Sequence, residues 1–278
     1  MQYLREVLSA KELLANLTLR EVKGKYKRTI FGQLWSLANP LAQMLIYTFI
    51  FSVIFTQTAP TGSPSGLKSY ALFLLCALLP WLFFAGVVNA GTSSLVSNTG
   101  LIQKVYFPRI VLPLSQVGAV GFNWLFEMAV LAIALSLFGN FVLPWIPMVL
   151  LVMIILAVFA AGVGLLLSVA NVYFRDTEHL LSIVLQIWMY LTPIIYKVEF
   201  VQNKSDQLGG LLGTPVTLID LYRLNPMEHF VEVFRALLYD NRFPDWGDLI
   251  TCVVWAVVAF VAGFVLFARK EKGLAEAL

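Results

Sequence analysis

The sequence contains few charged residues, and this scarcity excludes most classes of soluble protein. Only 13% of its 278 residues are Asp, Glu, Lys or Arg, whereas 59% are hydrophobic and the mean hydropathy is +0.81. Soluble proteins contain about a quarter charged residues, which cover the surface that faces water. The composition therefore excludes a soluble fold, a disordered chain and a strongly basic nucleic-acid-binding protein, and it indicates an integral membrane protein.

Cysteine and histidine are also scarce, and several catalytic motifs are missing. Cys76 and Cys252 lie in apolar runs, so we expect two small buried hydrophobic residues rather than a disulfide. His179 and His229 fall on opposite sides of the predicted membrane and cannot share a metal site. The sequence has no P-loop, no His-Glu-x-x-His motif and no Gly-x-Ser-x-Gly turn. These absences favour a conduit without a cofactor or metal of its own, whose energy comes from elsewhere.

Long uncharged stretches predict an all-α membrane protein with six transmembrane helices. A helix needs about 20 mostly apolar residues to cross the hydrocarbon core. The predicted spans are, in chain order, 35–56, 69–89, 112–138, 145–171, 180–196 and 249–268. A single membrane domain over residues 1–278 would then comprise an N-terminal segment (1–34), spans one to five (35–196), a long loop (197–248), span six (249–268) and a tail (269–278).

The distribution of basic residues predicts the orientation of these spans. Most of the 19 Lys and Arg residues fall on the side that holds both termini, including those between Arg20 and Arg28. Lys and Arg are enriched in cytoplasmic loops of membrane proteins. We therefore expect both termini in the cytoplasm and the long loop outside.

Two further helices are predicted outside the spans. Apolar residues recur at helical spacing between Tyr3 and Ala15, which favours an amphipathic helix in the cytoplasmic interface; a helix packed on a partner domain is the alternative. In the long loop, Asn225 and Pro226 suit the start of a helix that ends near Tyr239. This re-entrant or interfacial helix could cover a channel mouth, or lie on the surface without a gating role.

Polar and aromatic residues recur inside two of the spans. Span one carries a slowly winding stripe at four-residue steps, which consists of Asn39, Gln43, Tyr47, Phe51 and Phe55. Span five carries a second set, which consists of Trp188, Tyr190, Thr192 and Tyr196. We expect both sets to line a path for a hydroxyl-rich substrate. An interfacial belt or ordinary packing is the alternative for each aromatic residue taken alone.

Span three contains one ionisable residue, Glu127, on the same face as Gln116 and Asn123. A charged carboxylate near the bilayer centre costs about 2.5–3.5 kcal/mol, so its side chain should face protein or water. We expect these three residues to belong to the polar lining of the same path. The alternative is an interhelical hydrogen bond from Glu127 to Gln186 or Thr192.

Four short sequence blocks are spread over almost the whole chain. They are LREVK (19–23) continuing to Asn39 and Pro40, QKVYFPR (103–109), NVYFRD (171–176) with LTPIIY (191–196), and LNPM (224–227). Together they resemble the Wzm-type permease subunit of type-2 ATP-binding-cassette exporters, in the branch that exports bacterial surface polysaccharides. The resemblance implies a homodimer of six-span subunits in the bacterial cytoplasmic membrane, among membrane lipids. It also implies two cytoplasmic ATPase subunits that hold ATP and Mg²⁺, and no nucleic-acid partner.

The resemblance also assigns roles to residues. Coupling to the ATPase would involve Asn98, Leu101, Lys104, Tyr106, Arg109, Arg175 and Asp176. The diphosphate of a polyprenyl-linked glycan, such as O-antigen, teichoic acid or galactan, would approach Arg20, Lys23, Lys25, Lys27 and Arg28. Topology and lipid anchoring are the alternative role of this basic cluster. The outer gate would contain Pro226, Met227, Phe230 and Phe234.

Two other functions remain open for the sequence. The same fold could export a drug, haem or a simple lipid. A polytopic membrane transferase would need a catalytic carboxylate or histidine near a membrane face, for which Glu127 and residues 220–232 are the candidates. The missing motifs and the resemblance favour the permease, with ATP hydrolysis on the separate subunit.

Overall fold

The fold is helical throughout the part of the chain that the computed structural model describes, which is residues 6, 9–25, 27, 29–54, 60–210 and 216–277. No β-strand occurs in these ranges. The α-helices are, in chain order, α1 (Lys11–Lys25), α2 (Trp35–Thr48), α3 (Tyr70–Ser97), α4 (Thr99–Lys104), α5 (Val111–Leu137), α6 (Ile146–Tyr173), α7 (Thr177–Tyr190), α8 (Val198–Leu208), α9 (Leu218–Tyr222), α10 (Pro226–Arg235) and α11 (Trp246–Ala277). Short π-helices extend α2 over Phe49–Ile54 and α10 over Ala236–Asp240.

Five helical segments are long and apolar enough to cross a membrane. They are Gly32–Phe51, Tyr70–Ser97, Val111–Leu137, Leu143–Tyr173 and Trp246–Glu271. These segments correspond to predicted spans one, two, three, four and six. The chain is therefore an integral membrane protein that crosses the bilayer several times.

The predicted fifth span, 180–196, is helical over only part of its length. Helix α7 has 14 residues and ends at Tyr190, so it covers about 21 Å of a hydrocarbon core that is about 30 Å thick. Residues 191–196 form turns, and Pro193 lies among them. A proline has no N–H for the helical ladder and disfavours helix in the residue before it, which explains why α7 stops early.

Helix α3 forms the centre of the bundle. Most of its residues are buried, and apolar side chains surround it on all faces, as expected for a helix enclosed by others. Aromatic rings join it to its neighbours: Phe83 stacks on Trp124 of α5 with centroids 4.0 Å apart, and Phe84 stacks on Phe159 of α6 at 5.3 Å. Cys76 and Cys252 are both free and buried, as the sequence predicts.

Helices α6 and α11 cross at two glycines without a layer of side chains between them. A Cβ atom at Gly162 of α6 would lie 2.4 Å from the backbone of Ala259 in α11. A Cβ atom at Gly263 of α11 would lie 2.4 Å from the carbonyl oxygen of Gly162. Small residues allow two helix backbones to approach closely in a membrane, where van der Waals packing replaces the hydrophobic effect.

Polar contacts define one end of the bundle, which we name the α1 end. The guanidinium of Arg20 in α1 donates a hydrogen bond to Asn98 Oδ1 at 2.9 Å. The backbone N–H of Arg109 donates to Glu271 Oε1 in α11 at 2.7 Å. Helix α1 and the C-terminal part of α11 therefore lie at the same end.

The opposite end, named the α10 end, is held by the residues that follow α10. The amide of Asn140, after α5, donates to the carbonyl of Leu238 at 2.8 Å. The hydroxyl of Tyr239 donates to the carbonyl of Pro60 at 2.6 Å. The long loop thus folds back onto the connections between the spans at this end.

The amphipathic helix predicted between Tyr3 and Ala15 falls partly outside the described residues. The described helix α1 runs further than predicted, to Lys25, and packs on α5: the hydroxyl of Thr18 donates to the carbonyl of Ser115 at 3.4 Å. Basic residues in its last turn interact favourably with the helix dipole and help to extend it. Part of the basic cluster is therefore placed on a helix beside α5.

Candidate functional site

A cavity of about 840 Å³ lies between α1, α2, α3 and α5. Most of its lining is apolar, and its polar residues include Glu21, Lys25, Ser36, Asn39, Gln116, Asn123 and Glu127. The α5 residues from Gln116 to Glu127 extend over about 17 Å of helix. The cavity thus brings together the polar residues predicted in span three, Asn39 of span one and Lys25 of the basic cluster.

Among the residues on the cavity wall, buried polar atoms without a hydrogen-bond partner among the described residues include Oδ1 of Asn123 and the indole Nε1 of Trp124. These two residues are only 5% and 3% exposed. Buried polar groups in proteins are normally paired, because an unpaired group loses its water without compensation. One acceptor and one donor beside the cavity are therefore left unpaired within the described chain.

Glu127 lies on the cavity wall near the ammonium of Lys25 and the hydroxyl of Ser36. The alternative partner Thr192 is engaged elsewhere, because its hydroxyl donates to the carbonyl of Trp188 at 2.8 Å. The carboxylate of Glu127 thus faces a polar cavity with a positive charge close by, rather than the interface with α7.

The stripe predicted on span one divides between the cavity and the core. Asn39 lies on the cavity wall and accepts a hydrogen bond from Gln43 at 3.3 Å. One to two turns further, Tyr47 packs against the buried core and Phe51 stacks on Tyr70 of α3 with centroids 5.9 Å apart. The stripe winds around the helix, as its four-residue spacing predicts.

The residues predicted on span five form a junction with α10 instead of lining the cavity. The indole N–H of Trp188 donates to Asn225 Oδ1 at 2.7 Å, and the amide of Asn225 donates to the hydroxyl of Thr192 at 3.0 Å. The hydroxyl of Tyr196 donates to the carbonyl of Tyr190 at 2.9 Å. These contacts connect the irregular segment 191–196 to the start of α10.

Helix α10 begins as predicted and is enclosed by the bundle. Asn225 is its N-cap and accepts a hydrogen bond from the backbone N–H of Met227 at 3.0 Å. The ring of Phe230 stacks on Phe159 of α6 at 5.7 Å, and Phe234 meets Trp124 of α5 edge-on at 5.9 Å. Pro226 and Met227 are buried as well.

The polar face of α10 is also buried, which the sequence analysis missed. Glu228 and Arg235 are only 4% and 3% exposed. The guanidinium of Arg235 donates to the carbonyl of Ile194 at 2.7 Å and lies 3.8 Å from the ring centroid of Phe73. The apolar residues of α10 recur at helical spacing, but the acceptors for its polar side chains come from distant segments that periodicity does not reveal. The one signal in the sequence for this burial is the position of Arg235 in a segment rich in aromatic residues.

The surface at the α1 end contains the residues assigned to ATPase coupling. Tyr106 is 94% exposed, and Lys104, Arg175 and Asp176 are exposed too. Leu101 is half-buried, next to the buried Ile102 of α4. Two members are engaged within the chain, because Asn98 accepts from Arg20 and Arg109 contacts Glu271.

The described residues of the basic cluster lie in different surroundings. Arg20 forms an ion pair with Glu21 at 2.6 Å, and Lys25 lies on the cavity wall. Lys23 and Lys27 are exposed. The last member of this cluster and the last member of the span-one stripe, Arg28 and Phe55, lie outside the described residues.

Comparisons with known proteins agree with this architecture. A family model described as "ABC-2 type transporter" matches residues 12–239. The chain is 34% identical over 268 residues to the O-antigen export system permease protein RfbA of Klebsiella pneumoniae, covering 96% of this chain and 95% of that protein. It is 28% identical over all 278 residues to RfbA of Myxococcus xanthus, with full coverage of both chains.

A more distant relative belongs to a capsule system. The chain is 23% identical over 271 residues to the polysialic acid transport protein KpsM of Escherichia coli, covering 93% of each chain. The family match extends over most of the chain and reaches from α1 to Tyr239, shortly after α10. The chain therefore belongs to the ABC-2 type transporter family and is a membrane-spanning permease subunit.

Proposed function

We propose that this chain is the channel-forming subunit of an ATP-driven exporter that moves a polyprenyl-diphosphate-linked polysaccharide across the cytoplasmic membrane. The observation that carries the proposal is the polar cavity between α1, α2, α3 and α5. Sugar hydroxyls both donate and accept hydrogen bonds, and the wall carries the polar residues Gln116, Asn123 and Glu127. Lys25 adds the positive charge that a diphosphate requires.

The names of the relatives support a glycan as the cargo. Two of them are O-antigen export permeases and one transports polysialic acid, and these cargoes share hydroxyl-rich sugar chains. The amide and carboxylate groups along 17 Å of α5, about three helical turns, suit a sliding sugar chain.

We propose six membrane crossings, with α7 and residues 191–196 together forming the fifth. Helix α7 begins at Thr177, shortly after α6 ends at the α1 end. The carbonyl of Ile195 accepts a hydrogen bond from the hydroxyl of Tyr70, the first residue of α3, at 2.9 Å. The start of α3 lies next to the loop held by Tyr239, at the α10 end. This contact therefore supports a segment 177–195 that crosses from the α1 end to the α10 end. An even number of crossings agrees with α1 and the end of α11 lying at one end.

The proposal places the α1 end in the cytoplasm and α10 at the outer face, where it would act as a gate. The exposed residues Tyr106, Arg175 and Asp176 would then dock two copies of an ABC ATPase. A second copy of the permease would complete the channel. ATP binding would shift the first and fifth spans and open the path.

Reconstitution with the ATPase encoded beside this permease tests the proposal. The complex is placed in vesicles, and export of a fluorescent lipid-linked oligosaccharide is followed with ATP. Gln116→Leu and Asn123→Leu remove hydrogen-bonding groups from the cavity wall, worth about 0.5–1.5 kcal/mol each. We expect the double variant to lower the export rate about tenfold while the complex still assembles. Gln207→Leu on the exposed helix α8 is the matched control and should export normally.

Two outcomes would contradict the proposal. If the complex exported haem or a drug but did not move the oligosaccharide, the protein would still be a transporter, but a glycan would not be its cargo. Turnover of a lipid-linked substrate by the purified chain without any ATPase would indicate a membrane transferase instead.

A further inference from the structure

A buried histidine joins α10 to α11. Nδ1 of His229 in α10 lies 2.7 Å from Oδ1 of Asp248, near the start of α11, and 3.2 Å from Oε2 of Glu228. Nε2 of the same ring lies 2.9 Å from the carbonyl oxygen of Arg223. His229 is 7% exposed, so both of its ring nitrogens are committed to protein partners.

These contacts need one more proton than a neutral imidazole supplies. The carbonyl of Arg223 can only accept a hydrogen bond, so Nε2 must carry a hydrogen. An ionised Asp248 carboxylate can also only accept, so Nδ1 must carry a hydrogen too. A ring with hydrogens on both nitrogens is the imidazolium cation. The observed geometry is therefore that of a protonated His229.

Glu228 is a second titratable group beside Nδ1 of His229. Its Oε2 atom is buried and has no hydrogen-bond partner among the described residues, although Nδ1 of His229 is only 3.2 Å away. The hydrogen on Nδ1 points to Asp248, which is nearer. An ionised Glu228 thus depends on the charge of the imidazolium.

The other charged groups around His229 balance one another. A cavity of about 420 Å³ borders the contact and is lined by the arginines Arg223 and Arg242 and the carboxylates Glu232, Asp245 and Asp248. With Asp248 committed to His229, two positive and two negative groups remain. Two uncharged titratable residues lie nearby as well: Tyr222 is a neighbour of Glu228, and Cys252 is a neighbour of Glu228 and Asp248. The cavity borders the buried ring of His229 directly.

The remaining polar contacts of α10 fasten it to the end of α7. Asn225 is bonded to Trp188, Leu191 and Thr192, and the buried Arg235 donates to the carbonyl of Ile194. None of these contacts involves a group that titrates near neutral pH. Helix α10 and segment 191–196 therefore form one unit, which His229 connects to α11.

We propose that His229 and Asp248 form a proton-dependent latch, which holds α10 against α11 when His229 is protonated and releases it when the proton leaves. On the proposed function, in which α10 faces outside, the pH of the medium would then control the opening of the outer end. The contact itself does not depend on that function.

The direction of the pH effect follows from the two titrating groups. Burial alone lowers the pKa of His229, but the hydrogen bond to Asp248 and the charge of Glu228 outweigh it and raise the pKa above its ordinary value. Burial raises the pKa of Glu228. As pH rises through these values, Glu228 ionises and His229 becomes neutral. The trio with Asp248 changes from no net charge to two negative charges, so the latch is closed at low pH and opens as pH rises.

The latch can be measured in the full chain without cargo or ATPase. Nitroxide labels are attached to two introduced cysteines, Leu224→Cys just before α10 and Ile250→Cys on α11. Both positions are exposed. The native Cys76 and Cys252 are buried and should not react. The distance between the labels is recorded by electron–electron double resonance in nanodiscs of phosphatidylethanolamine and phosphatidylglycerol from pH 5.5 to pH 9. We expect one short distance at low pH and a longer, broader distribution at high pH, with a midpoint above about 6.5.

Two variants separate a latch from a merely structural contact. His229→Gln should abolish the pH response, whereas His179→Gln, at the only other histidine, should preserve it. Asp248→Asn should keep the short distance across the whole range, because an amide can donate to unprotonated Nδ1 while Nε2 still donates to Arg223. A distance that stays constant in the unsubstituted protein, or a full pH response in His229→Gln, would overturn the proposal. Either result would leave the export experiment above unaffected.

Discussion

Asn225→Ala is expected to loosen α10 from α7 by removing a side chain with four hydrogen bonds. The Oδ1 atom accepts from the indole of Trp188 at 2.7 Å and from the backbone N–H of Met227 at 3.0 Å. The amide nitrogen donates to the carbonyl of Leu191 at 3.1 Å and to the hydroxyl of Thr192 at 3.0 Å. The junction therefore depends on one side chain that bridges two segments far apart in sequence.

The magnitude follows from the separate losses. Removal of an N-cap costs about 1 kcal/mol. A half-buried indole N–H left without a partner costs about 1–3 kcal/mol. Hydrogen bonds between helices in a membrane average only about 0.6 kcal/mol, which limits the contribution of the two amide donors. Because these losses share one side chain and are not additive, we expect a decrease of about 2–4 kcal/mol in the free energy of unfolding.

The assay is unfolding of the purified chain in bicelles by steric trapping, which gives a free energy in a lipid environment. Asn225→Ser retains an N-cap oxygen for the backbone N–H of Met227 and loses the other contacts, so its decrease should be smaller. Asn203→Ala on the exposed face of α8 is the matched control and should change stability by less than about 0.5 kcal/mol. If Asn225→Ala were as stable as the Asn203 control, the junction would contribute nothing and the reasoning would fail.

Two further substitutions test other parts of the structure. Gly263→Ala should destabilise the chain by about 1–3 kcal/mol, because its Cβ would overlap the carbonyl of Gly162; Gly247→Ala in the same helix meets no atom within 4 Å and is the control in thermal unfolding. Tyr106→Ala should leave folding unchanged, because the side chain is 94% exposed, but should lower recovery of the ATPase in co-purification. If Tyr106→Ala recovered as much ATPase as the unsubstituted protein, Tyr106 would not belong to the docking surface.

The long helices were predictable because each signal is local. Uncharged runs of about 20 residues located five segments that the structure also contains, and Asn225 with Pro226 marked the start of α10. Pro193 lies where α7 gives way to turns. Such signals depend on residues within one or two helical turns, so the sequence displays them directly.

The cavity and the buried polar groups were not predictable in the same way. Gln116, Asn123 and Glu127 share a helix face that the sequence shows, but their meeting with Lys25 depends on how α1 packs on α5. The burial of Arg235 likewise requires the carbonyls of segment 191–196, some forty residues earlier. Contacts between distant segments come from tertiary packing, which periodicity alone does not encode.

The glycine contact between α6 and α11 determines which parts of the molecule can move relative to each other. Packed helices slide by changing side-chain rotamers at their interface. At Gly162 and Gly263 there is no side chain to change, and the two backbones touch directly. We therefore expect α6 and α11 to act as a fixed frame, against which the other helices are displaced in each cycle of transport.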